Sequence, residues 1–269
     1  MFKTRKVFTI LTMVAMVILL MPGIGCKKDE IPANKTEYNL MVKDELGVTG
    51  IATFIETSST ATTIEVKLYG APSGSHPAVL CMNSAVEGGD VVVTLNPVEG
   101  NGTSSTKVST ITYAQLNTYD GFIKVMKSSS EPQVILAMGD IGGNVLTSTN
   151  ITYSLDTIGA FGVSGNVLFQ ERVNGNTLVT ITLAGAIAGQ SYPATINLGS
   201  IASVGGGPVV KVLSDVNGTT GKSFTNIRRL DSGINITYQN WLVYDGYINI
   251  YQTVAALDHI ICHGDIGSN

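Results

Sequence analysis

The chain has 269 residues, of which 44% are hydrophobic, 13% are charged and 30 are glycine. This composition excludes a disordered chain, which needs high charge and few apolar residues, and favours one or two turn-rich globular domains. Three of the 16 basic residues, Lys3, Arg5 and Lys6, precede Cys26, whereas all 20 acidic residues follow it. The resulting acidic excess disfavours a nucleic-acid partner, which requires a basic face to neutralise phosphates.

Residues 1–25 have the pattern of a secretory signal. The basic start is followed by a mainly apolar run over residues 7–21, shorter than the about 20 residues that span a bilayer. The order of Gly25 and Cys26 after this run resembles a bacterial lipoprotein signal, in which the cysteine thiol receives a diacylglycerol before cleavage. We therefore predict that Cys26 is the lipid attachment site and that residues 26–37 form a polar tether. An ordinary signal peptide with an unmodified cysteine is the alternative.

The charged residues that follow Cys26 bear on localisation. Lys27-Lys28-Asp29-Glu30 resembles the surface-export signals of lipoproteins in one Gram-negative phylum, and a plain solvated linker is the alternative. We expect an outer-membrane lipoprotein on the cell surface or the periplasmic face, held to the membrane through its lipid anchor.

Six short motifs occur twice in the same order, which indicates two copies of one module. The paired motifs are residues 47–50 and 162–165, 75–78 and 191–194, 89–92 and 207–210, 111–113 and 236–238, 119–121 and 244–246, and 139–142 and 264–267. We predict one module over residues 38–144 and a second, with longer loops, over residues 152–269.

Within each copy the apolar residues alternate with polar ones, which is typical of half-buried β-strands. The turn Asn174-Gly175-Asn176 between two such runs indicates a hairpin. A short helical turn is expected over residues 113–117, with Thr112 at its N-terminus and Gln115 three residues later. We predict an all-β protein with seven or eight strands per copy.

The order of these motifs resembles the CHRD-domain family, which has a β-sandwich like that of Cu/Zn superoxide dismutase. The Tyr-Asp-Gly-Tyr segment at residues 244–247 and the Gly-Asp-Ile-Gly segment at residues 264–267 carry the resemblance most clearly. It implies two tandem Greek-key sandwiches. In the family, a His-x-His pair that resembles the copper ligands of the dismutases follows the Pro-Ala pair. Here those stretches are residues 79–81 and 195–197, and neither contains histidine. We expect no metal and no cofactor.

Other chemistry-bearing residues favour structural roles. His259 and His263 would lie about 13 Å apart on one face of a strand, too far for one metal ion. His76 stands beside a proline at a strand entrance and is expected to anchor a turn. Cys81 and Cys262 are the cysteines that follow Cys26, and they could form a bridge between the modules or remain as buried free thiols.

The Tyr-Asp-Gly motifs offer carboxylates that could serve acid–base chemistry or calcium binding. Their presence in both copies fits a recurring fold requirement better. We expect Asp120 and Asp245 to accept backbone N–H bonds, and Gly121 and Gly246 to hold a conformation that a Cβ penalises.

The sequence therefore favours a non-enzymatic binding or adhesion module of the cell envelope, whose loops contact an envelope protein or a glycan. A divergent dismutase-like metal-dependent oxidoreductase is one alternative, and the lack of a His-x-His pair counts against it. A structural subunit of an envelope complex is the other.

Overall fold

The computed structural model describes residues 33–203 and 206–269; the predicted signal segment 1–25 and Cys26 lie outside them. The described residues confirm the all-β prediction. The first module comprises β1 (Lys35–Val42), β2 (Thr49–Ser58), β3 (Ala61–Tyr69), β4 (Ser75–Met82), β5 (Val91–Glu99), β6 (Thr103–Val108), α1 (Tyr113–Leu116), β7 (Asp120–Met126) and β8 (Ile135–Gly142). The second comprises β9 (Leu146–Thr157), β10 (Ser164–Arg172), β11 (Thr177–Ala184), β12 (Ser191–Leu198), β13 (Val209–Asn217), β14 (Lys222–Ile227), α2 (Tyr238–Trp241), β15 (Asp245–Thr253) and β16 (Ala256–Gly267). Within these ranges, no helix is long and apolar enough to cross a membrane.

Both modules have the same antiparallel strand order. In the first module it is β5-β4-β7-β8-β1-β2-β3-β6, and the corresponding order in the second closes on itself because Asn217 pairs with Lys222. Since β4 lies beside β7 and β3 beside β6, the chain makes Greek-key connections. In the first module a side chain joins the two edge strands, where the backbone N–H of Asn96 donates to Thr106 Oγ1 at 2.7 Å.

Two strands begin outside the predicted bounds of the modules: β1 and β9. β1 begins at Lys35, inside the segment predicted as a tether, and β9 begins at Leu146, before the predicted start of the second module. Along β1 only Tyr38 and Leu40 are buried, and the remaining side chains are exposed or partly exposed. The composition of this segment is that of a solvated linker. Its pairing with β2 shows that it is a strand.

Each module has its own apolar core, and the short helix contributes a large side chain to it. Leu116 of α1 and Trp241 of α2 are fully buried at equivalent positions. The Trp241 ring packs edge-on against Phe169, with the ring centroids 5.7 Å apart. The predicted start of α1 is confirmed, since the backbone N–H of Thr112 donates to Gln115 Oε1 at 2.9 Å.

A buried arginine joins the two modules. Arg172, the last residue of β10, extends into the first module, where its guanidinium lies 2.7 Å from Asp140 Oδ2 and also donates to the carbonyl of Asn144. The Arg172 side chain is 0% exposed and that of Asp140 is 19% exposed. A guanidinium so removed from water requires an anionic partner, so this pair holds the modules in one arrangement.

Backbone hydrogen bonds flank this ion pair. The N–H groups of Val173 and Asn174, in the β10–β11 turn, donate to the carbonyls of Val145 and Gly143, each at 2.9 Å. The turn therefore adds main-chain pairing to the segment that follows β8. Side-chain contacts between the modules include Asn226 with Glu87 at 2.9 Å and Arg228 with Asp120 at 3.5 Å.

Replacing Arg172 by alanine should lower the free energy of unfolding by about 3 kcal/mol, because the largely buried Asp140 carboxylate loses its cationic partner. Urea unfolding measures this change. Arg229→Ala, at an exposed arginine of the same module, is the control and should change stability by less than about 0.5 kcal/mol. Equal stabilities of the two variants would contradict the assignment.

Candidate functional site

The sequence resembles the CHRD-domain family, in which a His-x-His pair occurs. The corresponding positions of this chain lie on the outer faces of the two sheets. In the first module they are Val79 and Cys81, which pack with Phe122 into a small buried apolar cluster. Ala85 and Met126 cover this cluster in part. These side chains contribute packing at a position where the family resemblance would place metal ligands.

The corresponding positions in the second module form a buried polar cluster of Thr195, Asn197, Asn249 and Tyr251. Thr195 Oγ1 donates to Asn197 Oδ1 at 2.9 Å and lies 3.1 Å from the Tyr251 hydroxyl. Asn249 lies directly opposite Thr195 on the neighbouring strand, and its amide donates to Tyr251 at 3.5 Å. Hydroxyl and amide groups are not the imidazole and thiolate ligands that copper and zinc prefer.

The histidines do not converge. His76 is 1% exposed, and its two ring nitrogens lie 2.6 Å from the Lys127 carbonyl and 3.0 Å from the Pro72 carbonyl. It therefore joins the β3–β4 loop to the β7–β8 loop, in agreement with the predicted turn-anchoring role. His259 is exposed, and a β-bulge separates it from His263 along β16. Within residues 33–203 and 206–269, no three His, Cys, Asp or Glu side chains are grouped to hold a metal ion.

Cys81 and Cys262 are buried free thiols, which resolves the alternative that the sequence left open. Burial raises the pKa of both thiols, and for Cys262 the pKa rises to about 12, with the nearby Asp156 carboxylate adding to the effect. Thiolate, the nucleophilic form, is therefore scarce at neutral pH. Cys262 lies in the second core, whereas the adjacent His263 is partly exposed. These geometries do not support a nucleophilic Cys-His pair.

The expectation that the carboxylates of Asp120 and Asp245 accept backbone N–H bonds is wrong for the described residues. Their main-chain carbonyls accept such bonds instead, from Asn83 at 2.9 Å and from Gly199 at 3.0 Å. The Asp245 residue is exposed. The starts of β7 and β15 need a backbone carbonyl as acceptor at these positions. Any residue type supplies one, so the bond does not require an aspartate.

The aspartates of the two Gly-Asp-Ile-Gly motifs accept backbone N–H bonds, the role expected of Asp120 and Asp245. Asp140 Oδ1 accepts from the backbone N–H of Ala85 at 2.7 Å, and Asp265 Oδ1 accepts from that of Ile201 at 2.8 Å. Each carboxylate thereby fixes the loop that follows β4 or β12. The second oxygen differs between the copies: in Asp140 it binds Arg172, and in Asp265 it lies 3.4 Å from Ser200 Oγ.

The expectation for Gly121 and Gly246 needs a similar correction. Neither has a positive φ; instead, a Cβ would lie 2.6 Å and 2.8 Å, respectively, from a ring carbon of the tyrosine two residues earlier. The glycine that ends each Gly-Asp-Ile-Gly motif does require the left-handed region, with φ of 55° at Gly142 and 72° at Gly267. Crowding by the tyrosine ring and by a backbone carbonyl of the neighbouring strand explains the first pair, and backbone conformation explains the second.

Two loops at one end of the second module, the β9–β10 and β11–β12 connections, line a largely apolar cavity of about 230 Å³. A residue of β12, the C-terminal end of β15 and a residue of β16 complete its lining. The Tyr192 hydroxyl accepts from the backbone N–H of Ile187 at 2.8 Å and so fixes one wall. Phe161 is 46% exposed and Ile187 is 64% exposed at the cavity. The apolar part of the lining consists of Phe161, Val163, Ile187, Tyr192 and Ile261, and Gln190 and Gln252 add amide groups.

The corresponding loops of the first module carry charge. Lys127 pairs with Glu45 at 2.8 Å and with Glu131 at 3.6 Å, and His76 occupies the position that corresponds to Tyr192. The pKa of Lys127 is raised, with its hydrogen bond to Glu45 as the largest cause. The two copies thus share a scaffold and differ in loop chemistry.

Comparisons of the chain with family models, curated proteins and solved structures find no match. The resemblance to the CHRD-domain family therefore rests on the duplicated motifs, and the function has to be inferred from the geometry described above.

Replacing Asp265 by alanine should lower the free energy of unfolding by about 1 kcal/mol, because the Ile201 N–H loses its acceptor. Asp245→Ala is the matched variant, and it should change stability by less than about 0.5 kcal/mol because its carbonyl is retained. Thermal unfolding of the full chain compares the two. A larger loss for Asp245→Ala would restore the role that the sequence motif suggests.

Proposed function

We propose that the chain is an exported, lipid-anchored protein whose second module binds a protein of the cell envelope without catalysing a reaction. The observation that carries this proposal is the apolar cavity lined by the β9–β10 and β11–β12 loops and the end of β15. Loops held by a rigid scaffold are the usual place for recognition, and concave apolar surfaces are the usual form of a binding site.

Exposed apolar side chains extend the surface around the cavity. Val254, between β15 and β16, is 77% exposed, and Leu257, near the start of β16, is 55% exposed; both are close in sequence to the lining residue Thr253. Clustered apolar exposure of this kind marks contact sites for partners. The lining contains no charged side chain, so an apolar side chain of a protein partner suits it better than a hydroxyl-rich glycan.

The proposed location rests on the N-terminal pattern. The basic residues before the apolar run and the cysteine at its end support export and lipid attachment at Cys26. A membrane anchor followed by two fixed β modules would present the loop cavity to other envelope components. Adhesion and assembly within an envelope complex are both compatible with such a contact.

Photo-crosslinking tests the cavity as the contact site. A photoreactive residue in place of Ile187 should give an adduct with an envelope protein in whole cells. The same residue in place of Met41, which is 63% exposed on β1 of the first module, should not. Adding Phe161→Ser should reduce the adduct at position 187 several-fold. Equal adducts from both positions, or none from position 187, would contradict the proposal.

Cys26→Ala tests the anchor separately. The variant should lose incorporation of labelled palmitate, because the thiol that receives the lipid is absent, and its signal segment should remain uncleaved. Cys81→Ala, at a buried thiol of the first module, is the control and should keep its label. Unchanged labelling of the Cys26 variant would show that the anchor assignment is wrong.

A further inference from the structure

The surface around the last residues of the second module has the same backbone contacts as the surface through which the first module binds the second. In the first module, the N–H of Gly143 donates to the Tyr119 carbonyl at 3.0 Å; in the second, the N–H of Ser268 donates to the Tyr244 carbonyl at the same distance. These contacts place the segments that follow β8 and β16 in equivalent positions.

The next residue repeats as well. Asn144 donates its side-chain amide to the carbonyl of Gly121 at 3.4 Å, and Asn269 donates to that of Gly246 at 2.9 Å. Together with the equivalent loop contacts of the two Gly-Asp-Ile-Gly aspartates, these bonds show that the docking face of the first module recurs on the second. We call this second copy, formed by Asp245, Asp265, Ser268 and Asn269, the C-terminal face.

Among the described residues, the two faces differ in whether a partner is bound to them. On the first module, Asp140 Oδ2 binds the buried Arg172 and Asn144 is fully buried. On the C-terminal face, Asp245 and Asn269 are exposed, and Asp265 Oδ2 has only the distant contact with Ser200. The oxygen that holds a guanidinium in one copy is therefore available for the same interaction in the other.

We propose that the C-terminal face binds a β-hairpin that presents an arginine, supplied by another module of this kind. Arg172 shows the mode of binding, since it reaches Asp140 from the end of β10 while the turn after it pairs with the segment that follows β8. A guanidinium suits such a site because it stays charged and offers several fixed N–H donors to a carboxylate.

The chemistry of this chain points away from a second copy as the donor. Its own Arg172 is already buried at the module junction. The residue at the corresponding position of the β2–β3 hairpin is Thr57, as shown by the matching pairs Glu56–Thr62 and Glu171–Thr177. Threonine cannot form the ion pair, so the arginine-bearing hairpin belongs to a module of a different chain.

A three-module chain tests this binding directly. Residues 145–269 are repeated after Asn269 of the full chain, which places a second β10–β11 hairpin within reach of the C-terminal face. Hydrogen exchange is then measured at the repeated amides that correspond to Val173 and Asn174. If the hairpin docks, these amides should exchange at least tenfold more slowly than in the same chain with Asp265→Asn.

Asp258→Asn is the matched control, because Asp258 lies on the same strand with its side chain 84% exposed. This control should leave the slow exchange unchanged. Fast exchange of the repeated hairpin in a folded third module would overturn the proposal. Slow exchange that persists in the Asp265→Asn chain would overturn the role of the carboxylate.

A peptide measurement covers the case in which the third module does not fold. A cyclic peptide of residues 168–180, which keeps the hairpin closed, is titrated into the unmodified chain. It should shift the amide resonances of Ile201 and Ser268, and an Arg172→Leu peptide should not. No shift at millimolar peptide would contradict the proposal.

The oligomeric state of the unmodified chain tests the alternative occupant. If the chain self-associates and the Arg229→Ala variant does not, the occupant is a second copy bound through Arg229, and the proposal is wrong.

Discussion

The contact between Arg172 and Asp140 determines how the rest of this molecule is arranged. A guanidinium that is 0% exposed is costly without an anionic partner, and Asp140 provides one. Arg172 Nη1 donates to Asp140 and also to the Asn144 carbonyl, whereas Nε and Nη2 are buried without a hydrogen-bond partner in the described part of the chain. Asp140 and Asn144 belong to the first module and the arginine to the second. The pair therefore makes the two sheets one structural unit, and the loop cavity of the second module is held in a fixed position relative to the first.

Duplication has produced two scaffolds that keep their backbone contacts and differ in their side chains. Each copy retains the short helix, the aspartate that fixes the loop after its fourth strand, and the asparagine at its end. The outer face of one copy carries the apolar cluster around Cys81, and that of the other carries the polar cluster around Asn249. Scaffold contacts are constrained by folding, whereas outer faces and loops are free to acquire separate roles.

Much of the fold could be predicted from the sequence, because alternation and repeated motifs are local signals. The all-β class and the capped helix at Tyr113–Leu116 follow from such patterns. β1 could not be located in this way, since it buries only two side chains and gains its identity from pairing with β2 and β8. The roles of Asp120 and Asp245 were mistaken because a motif does not show whether the carboxylate or the carbonyl forms the bond.

The candidate sites were harder to predict, because they depend on contacts between distant segments. No local pattern distinguishes Arg172 from an exposed arginine at the end of a hairpin. The cavity needs two loops and residues of three strands that are far apart in sequence, and its loop residues Phe161 and Ile187 resemble ordinary loop residues. For Asp265 the duplication provides a signal. Its Gly-Asp-Ile-Gly motif repeats that of Asp140, so the arginine bound by Asp140 indicates that Asp265 also has an arginine as partner.

Equilibrium unfolding of the two modules within the full chain tests most directly whether the buried ion pair makes them one unit. Fluorescence of Trp241, the single tryptophan, reports the second core, and alkylation of Cys81 reports the first module. Both probes should show the same urea midpoint in the unmodified chain, and the midpoints should separate in Arg172→Ala. Separate midpoints in the unmodified chain would show that the modules unfold independently and would contradict the account.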